Sequence, residues 1–160
     1  VDIVYSCYGG AHSSVVAASI HIGLLPADQI PSPQQLNELK YYDKVTASER
    51  GKVIFIGIDK WGNRIFICGR GREKLGIEQA VKSGIILAGG NTEKLVFVDT
   101  LPAVNLWMRI GGFISRRLKW VKIGRPLVIW GTQKAFPHLL KIVDKTKAQY
   151  GKVDFHKEEI

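Results

Sequence analysis

The chain has 160 residues, enough to bury one continuous core, and its 46% hydrophobic and 23% charged content excludes a disordered polymer. Its longest apolar runs, such as IILA at 85–88, fall far short of the roughly 18 residues that cross a bilayer, so no membrane insertion is expected. The net charge of +9 favours anionic partners without choosing among nucleic acid, nucleotides, phosphorylated metabolites and an anionic membrane surface.

The opening VDIVYSC carries no basic region and leads straight into a glycine loop, which is not the pattern of a signal peptide. Residues 2–7 form a short apolar strand. Ser14 to Ile22 follow as a helix with almost no polar face, stopped by Gly23 with Pro26 beyond. Within the polar stretch 27–50, Ser32 caps a short helix that starts at Pro33 and runs through Leu39, close to the pair Tyr41-Tyr42. This stretch either covers the ligand-facing edge of a sheet or simply connects.

Residues 52–58 and 64–68 read as an antiparallel hairpin around DKWGN, both strands apolar throughout as in a sheet covered on both faces. A helix over 73–87 has Ile77, Val81 and Ile85 on one face, and KLVFVD at 94–99 is a buried strand. A helix over 105–119 has Leu106, Ile110, Phe113 and Ile114 as its core stripe, with Trp107 and Trp120 packing. PLVIW at 126–130 reads as a further strand, and 137–150 as a last helix stopped by Gly151, with a tail over 151–160. The order predicts a single three-layer α/β domain with helices on both faces. Its sheet is mostly parallel, of about five strands, with one antiparallel hairpin.

Ligands of such sheets sit beyond the carboxyl ends of the strands, where the loop CYGGAHSS joins the first strand to the first helix. Gly9 and Gly10 remove Cβ atoms where amides must turn inward, and the helix N-terminus adds positive potential, so the loop suits an anion. Ser13 or Ser14 caps the helix or adds a hydroxyl to the bound group. The same field favours a thiolate at Cys7, a candidate nucleophile; the alternative is a tight turn with an inert thiol. His12 is a candidate general base or phosphate ligand, or a solvated loop histidine. His21 reads as a packed histidine or a partner of the helix dipole, and His138 and His156 as surface residues.

The segment DIVYSCYGGAHSSVVAAS resembles the start of the low-molecular-weight protein tyrosine phosphatases and related arsenate reductases. There a strand leads to a cysteine, five residues, then Arg-Ser opening a helix. The resemblance implies Cys7 as nucleophile, Gly9 as the loop glycine and Ser14 as the serine that supports the thiolate. Ser13 falls where that family has its arginine, and no Asp-Pro pair supplies its general acid. The loop also has the length of a Walker A loop, with His12 and Ser13 where that motif needs Gly and Lys. Over its whole length the chain is similar to a family of small bacterial proteins of unknown function whose openings look like CYGG-x-HSS. That resemblance implies a shared fold and site.

Three further strand ends are expected to face the loop. CGRGR offers Arg70 and Arg72 as guanidinium donors, Asp99 offers a general acid or a turn cap, and Thr132 a hydroxyl after PLVIW. Together these residues predict a phosphate-binding site for a phosphorylated small molecule or nucleotide. Cys7, His12 and Asp99 are its catalytic candidates, and Gly9, Gly10, Ala11, Ser13, Ser14, Arg70, Arg72 and Thr132 its ligand-binding candidates. The chemistry, if catalytic, is cysteine-dependent phosphoryl transfer or hydrolysis. The alternative is a non-catalytic basic module binding nucleic acid, or docking on acidic lipid, through Arg109, Arg116, Arg117, Lys119, Lys122 and Arg125. Cys7 and Cys68 read as reduced thiols of a cytoplasmic protein, and no metal or cofactor is expected, since no Cys/His pair has ligand spacing.

Overall fold

The computed structural model describes residues 1–151, so the tail and His156 lie outside the described residues. Its elements begin with β1 (Asp2–Cys7), α1 (Ser13–His21), α2 (Pro33–Glu38), β2 (Val53–Ile58) and β3 (Arg64–Gly69). There follow α3 (Lys74–Leu87), β4 (Leu95–Asp99), α4 (Leu106–Gly112), a π-helical turn (Phe113–Arg117) and α5 (Val121–Tyr150).

The four strands make one mixed sheet in the order β2-β3-β1-β4. β1 runs parallel to both β3 and β4, and β2 pairs antiparallel with β3. A central strand is shielded by neighbours on both edges, and five of the six residues of β1 are buried. The ladder opposes Cys7 to Gly69 and Ser6 to Asp99, which brings three carboxyl ends together. α1 is buried at every position. Ala17 and Ala18 leave room for close approach, while Val15, Val16 and Ile20 join Ile3, Tyr5, Ile65 and Ile67 in the core. The expected cap at Ser32 is present: its hydroxyl accepts from the Gln35 amide and the Gln35 side chain accepts from the Ser32 amide.

Three expectations are corrected. PLVIW is not a strand; it lies inside the 30-residue helix α5, which continues through Pro126 and Pro137, so the sheet has four strands rather than five. A short apolar run carries no period that separates a strand from a buried helix. β2 is an edge strand and is not covered on both faces, with Phe55 50% and Ile58 59% exposed.

The buried and exposed faces of α4 are the reverse of those expected. Leu106, Ile110 and Phe113 point outward, while Met108, Gly111 and Ser115 are buried. The reason is backbone proximity between α4 and α5. A Cβ on Gly111 would lie 2.6 Å from the Val128 nitrogen, and one on Gly131 would lie 2.7 Å from that of Met108. Asn105 seals the pair, accepting from the Met108 amide and donating to the Gly131 carbonyl. Small residues thus draw one face of α4 inward and turn its large apolar side chains out.

Candidate functional site

The loop after β1 is held against the end of β3 by backbone alone. The Arg70 amide donates to the Cys7 carbonyl at 2.9 Å and the Gly71 amide to the Tyr8 carbonyl at 2.8 Å. Gly10 has φ +70°, and a Cβ there would lie 2.8 Å from the Gly69 nitrogen; a Cβ on Gly69 would lie 2.7 Å from the Gly9 carbonyl. Two facing glycines therefore permit the turn. Inside it, the Gly10 amide donates to Cys7 Sγ at 3.1 Å, and Ser14 Oγ lies 3.2 Å from the same sulfur. Among the described residues, the amides of Ala11, His12 and Ser13 find no acceptor.

Neither serine caps α1. Its N-cap is His12, without a side-chain cap. The Ser13 hydroxyl instead pairs with Thr100 Oγ1 at 2.9 Å, and Thr100 in turn donates to the Ser6 carbonyl. That buried chain ties the loop to the end of β4.

His12 is fixed from the other side by Asp43, which sequence reasoning missed. His12 Nε2 donates to Asp43 Oδ1 at 3.0 Å, while Ser115 Oγ and Arg125 Nε donate to Oδ2 at 2.7 and 3.0 Å. The Asp43 amide donates to the Ala11 carbonyl, and Arg116 donates to the carbonyls of Asp43 and Val45. Burial alone would raise this carboxyl, but the bonds from His12, Ser115 and Arg125 outweigh it and hold the group at about 2. Its only trace in the sequence is an acid directly after the Tyr41-Tyr42 pair. Arg116 and Arg125, expected outward, turn inward to this carboxylate and its backbone.

The remaining candidates scatter. Arg70 is buried and ion-paired with Glu78 of α3 at 3.3 Å and with Asp99. Asp99 also accepts from the Leu101 amide, the turn-capping alternative. Arg72 is exposed. Thr132 lies inside α5, its hydroxyl 2.7 Å from that of Tyr42, and not at a strand end. Arg50, unremarked in the sequence, stacks its guanidinium 4.9 Å from the ring centre of Tyr8 at the loop's rim.

A second buried polar group lies at the far end of α1. His21 Nε2 donates to Asp59 Oδ2 at 3.0 Å, which leaves Nδ1 to accept from the Tyr5 hydroxyl at 2.6 Å. Burial pushes the His21 imidazole below its ordinary value, the neutral form that this relay requires. Asp59 also accepts from the amides of Trp61 and Asn63, so the group ties α1 to the hairpin turn. His21 is the packed histidine that the sequence suggested.

Two clefts lie away from the loop. One, of about 500 Å³, is lined by Asn105, Trp107, Trp130, Lys134 and His138; the other, of about 420 Å³, by Val15, Leu25, Tyr41 and Ile56. Among the described residues no helix is long and apolar enough to cross a membrane, and no group of three His, Cys, Asp or Glu side chains could hold a metal ion.

A mixed four-stranded sheet carrying helices, with a cysteine beneath a glycine turn at its carboxyl edge, defines an α/β protein built around a strand-loop-helix. The sequence places it further: residues 2–148 match the model described as Protein of unknown function (DUF3189), and the chain belongs to that family. No curated protein and no solved structure matches it.

Proposed function

We propose that the loop from Cys7 to Ser14 binds the oxyanion of a phosphorylated small molecule or nucleotide, with Cys7 in contact with it as the candidate nucleophile. One observation carries this reading. Cys7 Sγ receives an amide and faces a hydroxyl, while three successive amides at the N-terminus of α1 stand without acceptors. Amides without acceptors at a helix N-terminus, next to a sulfur that already takes an amide, are the donors that suit an anion. His12, oriented by Asp43, is the proton carrier beside it.

The same contacts argue for binding ahead of fast hydrolysis. Ser13 is committed to Thr100 and Arg70 to two carboxylates, so neither offers the planar fork that a transferring phosphoryl group needs. Arg50, stacked on Tyr8, and Arg72 are exposed guanidiniums that would neutralise the anion. The nucleic-acid alternative is left with fewer cations, since Arg116 and Arg125 face Asp43.

Calorimetric titration with inorganic phosphate and a panel of nucleotides tests the proposal. The wild-type protein is expected to bind at least one, Ser14→Ala to weaken it, and Arg50→Ala with Arg72→Ala to lower affinity about ten-fold or more. Hydrolysis of p-nitrophenyl phosphate is expected to be slight. Absence of binding across the panel would refute the site, and brisk Cys7-dependent hydrolysis would overturn the binding-first reading.

A further inference from the structure

The outward apolar face of α4 continues into the elbow that leads to α5. Phe113 is 54%, Trp120 62% and Ile123 58% exposed, with Leu118 at 43%. Lys119 has φ +60° at the tip, a conformation that side chains other than Gly, Asn and Asp rarely hold. Arg117, Lys119 and Lys122 are exposed among these apolar residues. Leu106 and Ile110 extend the same face back along α4, 64% and 39% exposed.

The surrounding charge is one-sided. Between Asp99 and Asp144 the chain has no acidic residue, yet it carries eight lysines and arginines and three of the four tryptophans. A tight monomer core does not explain large apolar side chains set outward at a basic tip.

We propose that this elbow is a docking surface for an anionic phospholipid bilayer. Trp120, Phe113 and Ile123 enter the headgroup region, and Arg117, Lys119 and Lys122 pair with lipid phosphates around them. Charge complementarity selects this occupant. A second copy would bring like charges together across a patch without an acid to answer them. Nucleic acid would satisfy the cations but leave the aliphatic Ile110, Leu118 and Ile123 without an apolar partner. Basic residues beside aromatic and aliphatic ones are the composition of an interfacial, non-spanning contact. The proposal is independent of the loop, so the two fail separately.

Co-flotation of the full chain with vesicles tests it, using phosphatidylcholine alone and an equimolar mixture with phosphatidylglycerol. Binding is expected only to the anionic vesicles, falling as salt rises, with a blue shift of tryptophan emission. Each of Lys119→Ala and Lys122→Ala is expected to lower the partition coefficient roughly five-fold. Trp120→Ala should abolish the larger part of the emission shift, and Ile123→Ser provides a second apolar variant. These side chains are exposed, so circular dichroism should be unchanged. No binding, equal binding to neutral vesicles, or binding indifferent to these substitutions overturns the proposal. Salt-sensitive binding of duplex DNA through the same lysines without vesicle binding overturns it in favour of nucleic acid.

Discussion

Cys7 ends β1 and Cys68 lies one ladder position away on β3, in different surroundings. Burial, with the neighbouring Cys7 adding to it, pushes the Cys68 thiol up to about 11, which leaves almost no thiolate at neutral pH. Cys7 instead has the Gly10 amide and the Ser14 hydroxyl directed at its sulfur. Iodoacetamide at neutral pH is therefore expected to label Cys7 at least about ten-fold faster than Cys68, with mass spectrometry locating the adduct. Ser14→Ala should slow Cys7 alone. Equal, slow labelling would leave Cys7 a packing residue. Asp43 is the other decisive residue, held at φ +51° with a side chain that serves three elements. Asp43→Ala leaves Arg125 and His12 without their acceptor. It is expected to cost about 3–5 kcal/mol in urea unfolding, as when one partner of a buried ion pair is removed. A loss under about 1 kcal/mol would show that water replaces the carboxylate there.

Elements in this protein are positioned by small residues as much as by large ones. Gly111 packs against Val128 and the Gly124 carbonyl, whereas Gly84, in the exposed middle of α3, has nothing within 4 Å of a would-be Cβ. The same substitution should then act with opposite sign at the two sites. Gly111→Ala is expected to destabilise by about 1–3 kcal/mol, because the added methyl forces α4 from α5. Gly84→Ala is expected to stabilise by about 0.5–1 kcal/mol, because it only restricts the unfolded chain. Thermal midpoints of the two variants measure both. If Gly111→Ala proves neutral, α4 is not locked to α5, and the outward turn of its apolar face loses its cause.

Across the whole molecule, three buried titrating groups define how stability responds to acid. Asp43 is held at about 2 against an ordinary 3.8, and Asp59 lies below its ordinary value because its hydrogen bonds outweigh burial. Each depressed carboxyl contributes fully above its unfolded value and loses that contribution as pH falls through the folded one. His21 is depressed by burial below 6.5, so the folded state disfavours the proton that the unfolded chain accepts below that value. Stability is therefore expected to be level at neutral pH, to decline gently below about 6.5, and to fall more steeply below about 4, with Asp43 contributing about 2 kcal/mol. Urea midpoints measured across this range test it. His21→Gln should remove the upper decline, and Asp43→Asn should flatten part of the lower one. A single transition near pH 4 in the wild type would show that His21 does not contribute.

The sequence by itself determined the features whose signals are local. The strands β1 to β4, the Gly62-Asn63 turn, the Ser32 cap and the Cys7–Ser14 loop each lie within about a dozen residues and are found where the local pattern predicts, whereas the apolar run PLVIW is not a strand. The tertiary structure alone decided the rest. PLVIW is helical because it continues the long helix α5, with Val128 and Ile129 on its buried side and Pro126 and Trp130 exposed. The stripe on α4 turned outward because glycines distant in sequence allow closer packing on the opposite side, a preference no helical period records. Asp43 reached His12, and Arg50 reached Tyr8, through contacts 31 and 42 residues apart, set by chain path and not by motif. Local patterns carry backbone conformation; which faces meet, and which charges are buried together, depends on the packing of the whole chain.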